Sequence, residues 1–306
     1  MMTATRQSDL AIPGLRGSLR HDEPLSKHTV WACGGAAQRY FVPADIEDLA
    51  YFLRATALDE PLFWLGLGSN LLVRDGGIRG TVIALAGALD GIEVNAEMLT
   101  TLAGTPCAKV ARLSARFGLH GGAFFAGIPG TMGGALAMNA GAFGGETWTL
   151  VSRVQMIDRM GELHWRPTTD FAVGYRHVST PAQEWFVASE LRLKRVTNDA
   201  ANDTRGEIRT LLARRAETQP TGQRSCGSVF RNPPGDAAGR LIEAAGLKGL
   251  RIGGAVVSPK HANFIINENE ATSADIEALL ARVQETVRDQ FGVELVPEVR
   301  IVGEPR

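Results

Sequence analysis

The sequence predicts an α+β protein built as two lobes, and three observations support this prediction. Alternating polar and apolar residues over 150–158, 162–165 and 185–195 are typical of half-buried antiparallel strands. Amphipathic segments with capping residues indicate helices among them. A chain of 306 residues is long enough for two domains, and the polar run at 198–203 marks their expected boundary. We therefore divide the chain into residues 28–198 and 203–306.

The elements of the first lobe follow from local patterns. Residues 1–27 are polar and aperiodic, so we expect a mobile tail before residue 28. Pro43 and Asp45 open an amphipathic helix, and residues 61–85 indicate three strands joined by glycine-rich turns. The remaining predicted elements are strands at 91–95 and 98–103 and a helix from 106 to 118, with proline at its start and glycine at its end.

The second lobe is expected to alternate helices with short strands. Thr272 and Asp275 form a capping-box pattern ahead of a long helix, whose apolar face includes Ile276, Leu280 and Val283. The other predicted elements are a helix to 217, a short helix at 241–247, a strand within 255–267 and a final strand at 293–302.

Composition excludes several classes of function. Lys and Arg number 32 against 33 Asp and Glu, so no excess charge is available for nucleic acid or an anionic membrane. Cys33, Cys107 and Cys226 are far apart, which disfavours a disulfide framework or a zinc site and favours buried free thiols. No metal-ligand spacing, signal peptide or membrane span is evident, so we expect a cytoplasmic protein without a metal.

Two glycine-rich regions are candidates for binding an anion. Glycine and alanine dominate residues 118–146, where 131–138 could start a short helix whose free N–H groups face a pyrophosphate. The turn at 66–70 could form an anion-binding nest, with Ser69 and Asn70 adding side-chain donors. Neither region matches the dinucleotide fingerprint or the P-loop. From these residues alone, ordinary glycine-rich turns remain an alternative for both.

Three segments carry polar residues that packing does not explain. Arg176 lies in a glycine-flanked turn, where its guanidinium could clamp a carboxylate or phosphate. Ser228 follows a glycine, and Glu298 lies on the strand face opposite Val299. A surface arginine, a turn serine and a solvated glutamate remain the alternatives at this stage. For His261, a hydrogen-bonded structural role is favoured over catalysis.

Six motifs, taken together and in order, are more specific than any of these features. They are GLGSNLLV (66–73), AGIPGTMGGALAMNAGAFGG (126–145), GYR (174–176), GSVFRNP (227–233), KHANFIIN (260–267) and PEVRIVGE (297–304). The series resembles the UDP-N-acetylenolpyruvoylglucosamine reductases, flavoenzymes of peptidoglycan precursor synthesis. The resemblance spans about residues 28–304.

The resemblance implies both a fold and a set of ligands. It implies an FAD-binding lobe of the vanillyl-alcohol-oxidase (PCMH) type, made of two α+β subdomains, followed by an α+β substrate-binding lobe. It also implies non-covalent FAD, NADPH as hydride-donating co-substrate, and UDP-N-acetylglucosamine enolpyruvate as substrate, with no obligatory protein partner. The residues then expected to contact FAD are Gly66, Gly68, Ser69, Asn70, Gly127, Ile128, Pro129, Gly130, Gly133, Gly134, Asn139 and Ala140.

The resemblance also implies catalytic roles. Arg176 and Glu298 would flank the enolpyruvyl carboxylate, where negative charge develops during hydride transfer to the vinyl carbon. Ser228 would donate a proton to the adjacent carbon, giving UDP-N-acetylmuramate. Tyr175 and Asn232 would contact the substrate. The short spacings between the three catalytic positions resemble the subclass that lacks an inserted substrate-capping loop.

Departures from the family pattern affect local flavin contacts and leave the implied reaction unchanged, while two alternative functions remain to be weighed. Cys33, Ala36 and Ala123 replace residues common in relatives, which puts the local flavin contacts there in doubt. A flavin oxidase of the same fold, with His120 as a covalent tether, is one alternative, although GSVFRNP and PEVR argue against it. A catalytically silent flavin or sugar-nucleotide binding module is the other.

Overall fold

The computed structural model describes residues 12–195 and 198–306, and for residues 198–203 it describes the backbone alone. The first lobe begins with a four-stranded sheet in the order β1-β2-β5-β3, in which only β1 is antiparallel to its neighbour. Its elements are β1 (Ser18–Pro24), β2 (Ala36–Val42), α1 (Ile46–Ala55), β3 (Leu62–Leu65), β4 (Leu71–Val73) and β5 (Ile78–Ala84).

The prediction of a mobile tail up to residue 27 is wrong where the structure describes that segment. Ser18–Pro24 forms an edge strand paired with β2, while residues 1–11 lie outside the described part of the chain. An edge strand can be largely solvated and charged, so it carries no hydrophobic period to reveal it. The helix predicted after Pro43 is confirmed as α1, with the Asp45 side chain accepting a hydrogen bond from the Asp48 N–H at 2.8 Å.

A five-stranded antiparallel sheet in the order β12-β11-β15-β7-β6 completes the first lobe. Its long strands confirm the period-two alternation, and the helix predicted from 106 to 118 is confirmed as α2. The elements are β6 (Ile92–Asn95), β7 (Met98–Leu102), α2 (Cys107–Arg116), β8 (Leu119–His120), α3 (Met132–Met138), β9 (Gly141–Ala142), β10 (Gly145–Glu146), β11 (Val151–Asp158), β12 (Leu163–Pro167), β13 (Ala172–Gly174), β14 (His177–Ser179), β15 (Glu184–Arg192) and β16 (Lys194–Arg195).

The two sheets of the first lobe share a hydrophobic core. Phe41 and Ile83 of the first sheet belong to the same buried cluster as Ile157 and Val187 of the second. The Phe41 ring stacks on Phe52 of α1 at 4.2 Å between centroids, which anchors this helix to the sheet. This shared core fixes the two sheets, and the loops at their edges, relative to each other. The first lobe is therefore α+β and consists of two subdomains, as the sequence predicts.

The second lobe packs helices on a small antiparallel sheet, β17-β18-β19. α4 (Asn198–Thr218) packs against α2 and belongs to the core of the first lobe. The elements of the second lobe are α5 (Ala238–Ala244), β17 (Arg251–Ile252), β18 (Ala255–Val257), β19 (Ile265–Asn267), α6 (Ser273–Phe291) and β20 (Arg300–Val302). The predicted capping box is confirmed, because Thr272 and Asp275 exchange side-chain and backbone hydrogen bonds at the start of α6. Ile276, Leu280 and Val283 are buried, so the predicted apolar face is confirmed too.

Two predictions for the second lobe are wrong in detail. The polar run at 198–203 begins α4 and is no linker, since polar residues suit a solvated helix as well as a loop. The final strand is shorter than predicted and comprises only Arg300–Val302, which pairs in parallel with β4 of the first lobe.

The two lobes also share contacts, since Trp31 Nε1 donates to the carbonyl of Ile265 at 2.9 Å. Over the described ranges, no helix is both long and apolar enough to cross a membrane.

Candidate active site

A cavity of about 900 Å³ opens between the glycine-rich regions of the first lobe and the second lobe. This volume lies within the range typical of cofactor and substrate pockets. Of the residues predicted to form the site, only Asn139 is absent from its lining. Those that line it are Gly66, Gly68, Ser69, Asn70, Gly127, Ile128, Pro129, Gly130, Gly133, Gly134, Ala140, Tyr175, Arg176, Ser228, Asn232 and Glu298.

The turn between β3 and β4 presents backbone donors to this cavity. Within 12–195 and 198–306, the N–H groups of Gly68, Ser69 and Asn70 donate to no protein acceptor. Gly68 has a φ of +61°, and a Cβ there would lie 2.2 Å from the carbonyl oxygen of His28. Only glycine therefore fits this position, and the turn offers a cluster of free N–H groups to an anion. These unpaired donors fit the pyrophosphate of FAD.

The second glycine-rich region differs from its prediction in one respect. A short helix does begin after Thr131, but its first N–H groups are not free. Met132 and Gly133 donate to the carbonyls of Thr105 and Ala103 at 2.9 and 2.7 Å, and Thr131 Oγ1 accepts from Gly134 at 3.5 Å. The expected anion site at the N-terminus of α3 is therefore wrong. The region instead forms a wall beside the first turn.

Asn139 supports the site from outside the cavity. It is 2 % exposed and takes a left-handed conformation (φ +44°) at the end of α3. Its Nδ2 donates to Glu146 Oε2 at 2.9 Å and to the Gly174 carbonyl at 3.2 Å, while its Oδ1 accepts from the Trp148 N–H at 3.2 Å. The Asn139 side chain thus holds the β13–β14 hairpin. The placement favours this role over the predicted contact of its side chain with FAD.

An ion pair between the two lobes dominates the catalytic end of the cavity. Arg176 Nε donates to Glu298 Oε1 at 2.9 Å, and both side chains are mostly buried. Arg176 lies in the two-residue turn between β13 and β14 with a φ of +54°. Its Nη2 donates to the Gly141 carbonyl at 3.0 Å, and its guanidinium carbon lies 5.1 Å from the Tyr175 ring centroid. These contacts fix the guanidinium in the cavity wall.

Burial controls the charge of Glu298. It raises the pKa of this carboxyl, against the opposing effect of Arg176 and, more weakly, Arg231. Such a shift is common for carboxyl groups in active sites. Glu298 can therefore hold a proton near neutral pH more readily than a solvated glutamate can.

Ser228 and Asn232 come from one loop of the second lobe. Ser228 forms an isolated bridge with Phe264, and in the described chain its hydroxyl has no protein partner. The Ser228 side chain is therefore free to interact with a ligand in the cavity. Asn232 Oδ1 accepts a hydrogen bond from the Ala238 N–H at 3.1 Å, which ties this loop to the start of α5. The amide nitrogen of Asn232 has no protein acceptor among the described residues.

The lining residues that the sequence analysis did not predict include an aromatic residue and three polar ones: Phe143, Arg215, Gln219 and Arg300. Arg215 donates to the Gly127 carbonyl at 2.6 Å and to Gln219 at 2.9 Å. Burial lowers the pKa of its guanidinium, which forms an ion pair with no carboxylate of the described chain. The sequence indicates this pair only by spacing, because Arg215 and Gln219 are four residues apart at the end of α4. Charge in a helix is usually solvated, so that signal was weak.

Both histidines singled out in the sequence lie outside the cavity lining. His261 packs on Phe264 at 4.7 Å between ring centroids, and its Nδ1 accepts from the Asn263 N–H at 3.3 Å. Burial lowers the pKa of His261, which favours the neutral ring and agrees with a structural role. His120 lies on β8, where its Nδ1 is 3.1 Å from the hydroxyl of Thr204. This position disfavours His120 as a flavin tether.

The cysteines and acidic residues offer no further centre. Cys33, Cys107 and Cys226 are buried and free, as predicted, and burial raises the pKa of each thiol. In the part of the chain that the structure describes, no group of three His, Cys, Asp or Glu residues could hold a metal ion.

Two family models match separate parts of the chain. An FAD binding domain model matches residues 37–166, which include both glycine-rich regions. A model described as UDP-N-acetylenolpyruvoylglucosamine reductase, C-terminal domain, matches residues 219–302, which include Ser228 and Glu298.

Comparisons with whole proteins agree with these matches. The UDP-N-acetylenolpyruvoylglucosamine reductase of Alkalilimnicola ehrlichii is 59% identical over 288 residues, 94% of this chain and 96% of its own. That of Methylococcus capsulatus is 58% identical over 290 residues, 94% of each chain. The crystal structure of the Thermus caldophilus enzyme superposes with a TM-score of 0.80 at 32% identity, covering 94% of this chain and 98% of the other.

A more distant structure resembles the chain in fold alone. The 6-hydroxy-D-nicotine oxidase of Arthrobacter nicotinovorans superposes with a TM-score of 0.57 at 13% identity, covering 95% of this chain and 90% of the other. Its coverage shows that the fold of this chain extends over most of that oxidase.

Gly68→Ala should weaken FAD binding and lower stability, because the new Cβ meets the His28 carbonyl oxygen at 2.2 Å. Gly87→Ala is the matched control, since Gly87 has a φ of +76° but no atom within 4 Å of a new Cβ. The control should lose only the ~1 kcal/mol typical of alanine at positive φ. FAD titration by fluorescence and urea unfolding measure both effects. Equal losses in the two variants would contradict a special role for the Gly68 turn.

Glu298→Gln should gain stability relative to the wild type as pH rises. Glu298 has a pKa above its ordinary 4.5 in the folded protein, so its ionisation from that pH upward favours the unfolded chain. Glutamine does not ionise and avoids this loss. Urea unfolding of the apoprotein at about pH 4 and about pH 7 measures the change. If the difference in unfolding free energy between the two proteins stayed constant with pH, burial would not raise the pKa of Glu298.

Proposed function

Because the chain belongs to the UDP-N-acetylenolpyruvoylglucosamine reductase family, we propose that it reduces UDP-N-acetylglucosamine enolpyruvate to UDP-N-acetylmuramate. NADPH is the hydride donor and FAD the bound cofactor of this reaction. The product serves peptidoglycan precursor synthesis, and through it cell-wall formation. The observation that carries the proposal is the joint placement of Arg176, Ser228 and Glu298 on one cavity beside the free N–H groups of the Gly68 turn.

The first lobe supplies the cofactor site in this proposal. The FAD binding domain model covers residues 37–166 and the reductase C-terminal domain model covers residues 219–302, which supports a cofactor-binding first lobe and a substrate-binding second lobe. Gly68, Ser69 and Asn70 would hold the FAD pyrophosphate through their free backbone N–H groups, and residues 127–134 would line the other side of the site. When bound, FAD supplies hydride transfer between NADPH and the enolpyruvyl double bond.

Arg176 and Glu298 bind and polarise the enolpyruvyl carboxylate. As hydride reaches the terminal vinyl carbon, negative charge spreads from the neighbouring carbon onto this carboxylate. The fixed guanidinium of Arg176 stabilises that charge without having to reorganise. Glu298 lies within hydrogen-bonding distance of Arg176 and, when protonated, donates a hydrogen bond to the same oxygens.

Ser228 completes the addition across the double bond. Its hydroxyl donates a proton to the carbon that bears the carboxylate, so that hydride and proton together saturate the bond. Solvent then returns a proton to the Ser228 oxygen, and NADPH, a proton and substrate give NADP⁺ and product. A hydroxyl is a weak acid, and only a strongly basic enolate held beside it makes this transfer effective. Tyr175 and Asn232 contact the substrate on either side.

The proposal locates the reaction in the cytoplasm, where NADPH and nucleotide sugars are available. It requires no nucleic acid, no membrane and no obligatory protein partner. A flavin oxidase is disfavoured by the position of His120 outside the cavity and by the Arg176–Glu298 pair, which suits an anionic substrate. A silent binding module is disfavoured because the three catalytic side chains meet on one cavity.

Ser228→Ala should separate the two half-reactions. NADPH should bleach the flavin absorbance at nearly the wild-type rate, because this step needs no proton from Ser228. Reoxidation by the enolpyruvyl substrate should slow by ~10²–10⁴-fold, the usual contribution of a general acid. Anaerobic stopped-flow absorbance measures both steps.

Ser225→Ala is the matched control. Ser225 lies three residues before Ser228, its hydroxyl is buried, and it is not part of the cavity lining. This control should leave both half-reactions unchanged. A Ser228→Ala protein that loses both steps equally would remove the proton-donor role from Ser228.

A further inference from the structure

Phe143 occupies a backbone position that aromatic residues rarely take. It lies with Gly144 at the tip of the β9–β10 hairpin, where Ala142 pairs with Gly145. The φ angles of the two residues are +53° and +85°, as in the two-residue turns that favour Asn-Gly. A bulky side chain in this left-handed region costs of the order of 1 kcal/mol or more. An interaction of the aromatic ring should therefore offset the cost of placing phenylalanine at position 143.

Burial does not explain Phe143. Its side chain is 40 % exposed and lies outside the hydrophobic cores of the described chain, whereas the neighbouring Ala142 packs against one of them. The ring covers the backbone of Gly127, where a Cβ would lie 2.3 Å from Phe143 Cε2. Glycine at 127 thus makes room for the aromatic ring. The rest of the ring forms part of the cavity wall.

Two backbone carbonyls near Phe143 accept hydrogen bonds from arginines that line the cavity. The Gly141 carbonyl, two residues before Phe143, accepts a hydrogen bond from Arg176 Nη2 at 3.0 Å. The Gly127 carbonyl beneath the ring accepts one from Arg215 Nη1 at 2.6 Å. Arg176 pairs with Glu298, whereas Arg215 pairs with no carboxylate of the described residues. An open aromatic face beside a positive charge suits the base and phosphates of a nucleotide.

We propose that Phe143 is the stacking platform for the heteroaromatic ring of a diffusible nucleotide that enters the cavity. This rests on the proposed function, in which both NADPH and the UDP-sugar are such nucleotides. Phe143 lies at the exposed tip of the β9–β10 hairpin, and Gly141 of the same hairpin contacts Arg176. The ring therefore lies beside the substrate end of the cavity. Stacking compensates for the backbone strain only when ligand is bound. Phe143 is therefore a binding residue that determines affinity.

Phe143→Asn is the decisive variant, because asparagine suits the left-handed turn and lacks the aromatic face. In the FAD-loaded protein, its melting temperature should equal or exceed that of the wild type. Its affinity for UDP or for NADP⁺, measured by calorimetric titration, should fall at least ~5-fold, the lower end of base-aromatic stacking. Phe143→Tyr should restore the affinity. A loss for UDP alone identifies uracil as the stacked ring, and a loss for NADP⁺ alone identifies a ring of that cofactor.

Phe117→Asn is the matched control, since Phe117 is 49 % exposed at the end of α2 and outside the cavity lining. It should bind both probes as the wild type does. Unchanged affinity of Phe143→Asn for both probes would overturn the inference, as would a loss confined to FAD. Wild-type turnover of the enolpyruvyl substrate tests the proposed function separately. An active wild type with an unaffected Phe143→Asn variant would refute the stacking role alone.

Discussion

The Arg176–Glu298 ion pair connects the two lobes in the wall of the cavity, and the surrounding structure holds it in place. Arg176 comes from the tip of the β13–β14 hairpin, which Asn139 fixes from behind. Glu298 precedes β20, which pairs with β4 of the first lobe directly after the Gly68 turn. Asn70 Nδ2 donates to the Glu298 carbonyl at 3.0 Å, so the Gly68 turn and Glu298 share a direct contact. The final strand thus aligns the two sites.

Two side chains in the wall of this cavity belong to residues with strained backbone conformations. Arg176 and Phe143 both take left-handed conformations, and each is held by contacts with glycine backbone. Such conformations cost free energy that the rest of the fold must offset, and they concentrate at functional sites. In this protein the two strained residues place a guanidinium and an aromatic ring on the lining of one cavity. A cavity prepared in this way does not need to reorganise when an anionic nucleotide enters it.

Most of the fold follows from the sequence, and the structure places all but one of the predicted site residues on one cavity. Period-two strands, the Thr272–Asp275 capping box and the six ordered motifs each depend on short-range patterns or on resemblance, and the structure agrees with them. The errors concern features that depend on tertiary contacts. β1 is a polar edge strand, and the N–H groups of α3 are taken by Ala103 and Thr105, which are distant in sequence.

The residues that sequence reasoning missed share one physical cause. Arg215 and Phe143 become candidates only because Gly127 lies between them, accepting a hydrogen bond from one and making room for the other. No spacing in the chain reveals that arrangement, since these positions come from a helix and a hairpin far apart in sequence. Asn139 was predicted to contact FAD, but its burial behind the β13–β14 hairpin favours support of the cavity over contact with a ligand.

The most direct test of the central claim is anaerobic reoxidation of the NADPH-reduced protein by UDP-N-acetylglucosamine enolpyruvate. The FAD-loaded wild type is first bleached with one equivalent of NADPH, and the visible flavin band is then followed after substrate is added. The account predicts rapid return of the oxidised band without oxygen, with UDP-N-acetylmuramate formed in equal amount. A band that stays bleached until oxygen is admitted would contradict it and favour an oxidase or a binding module.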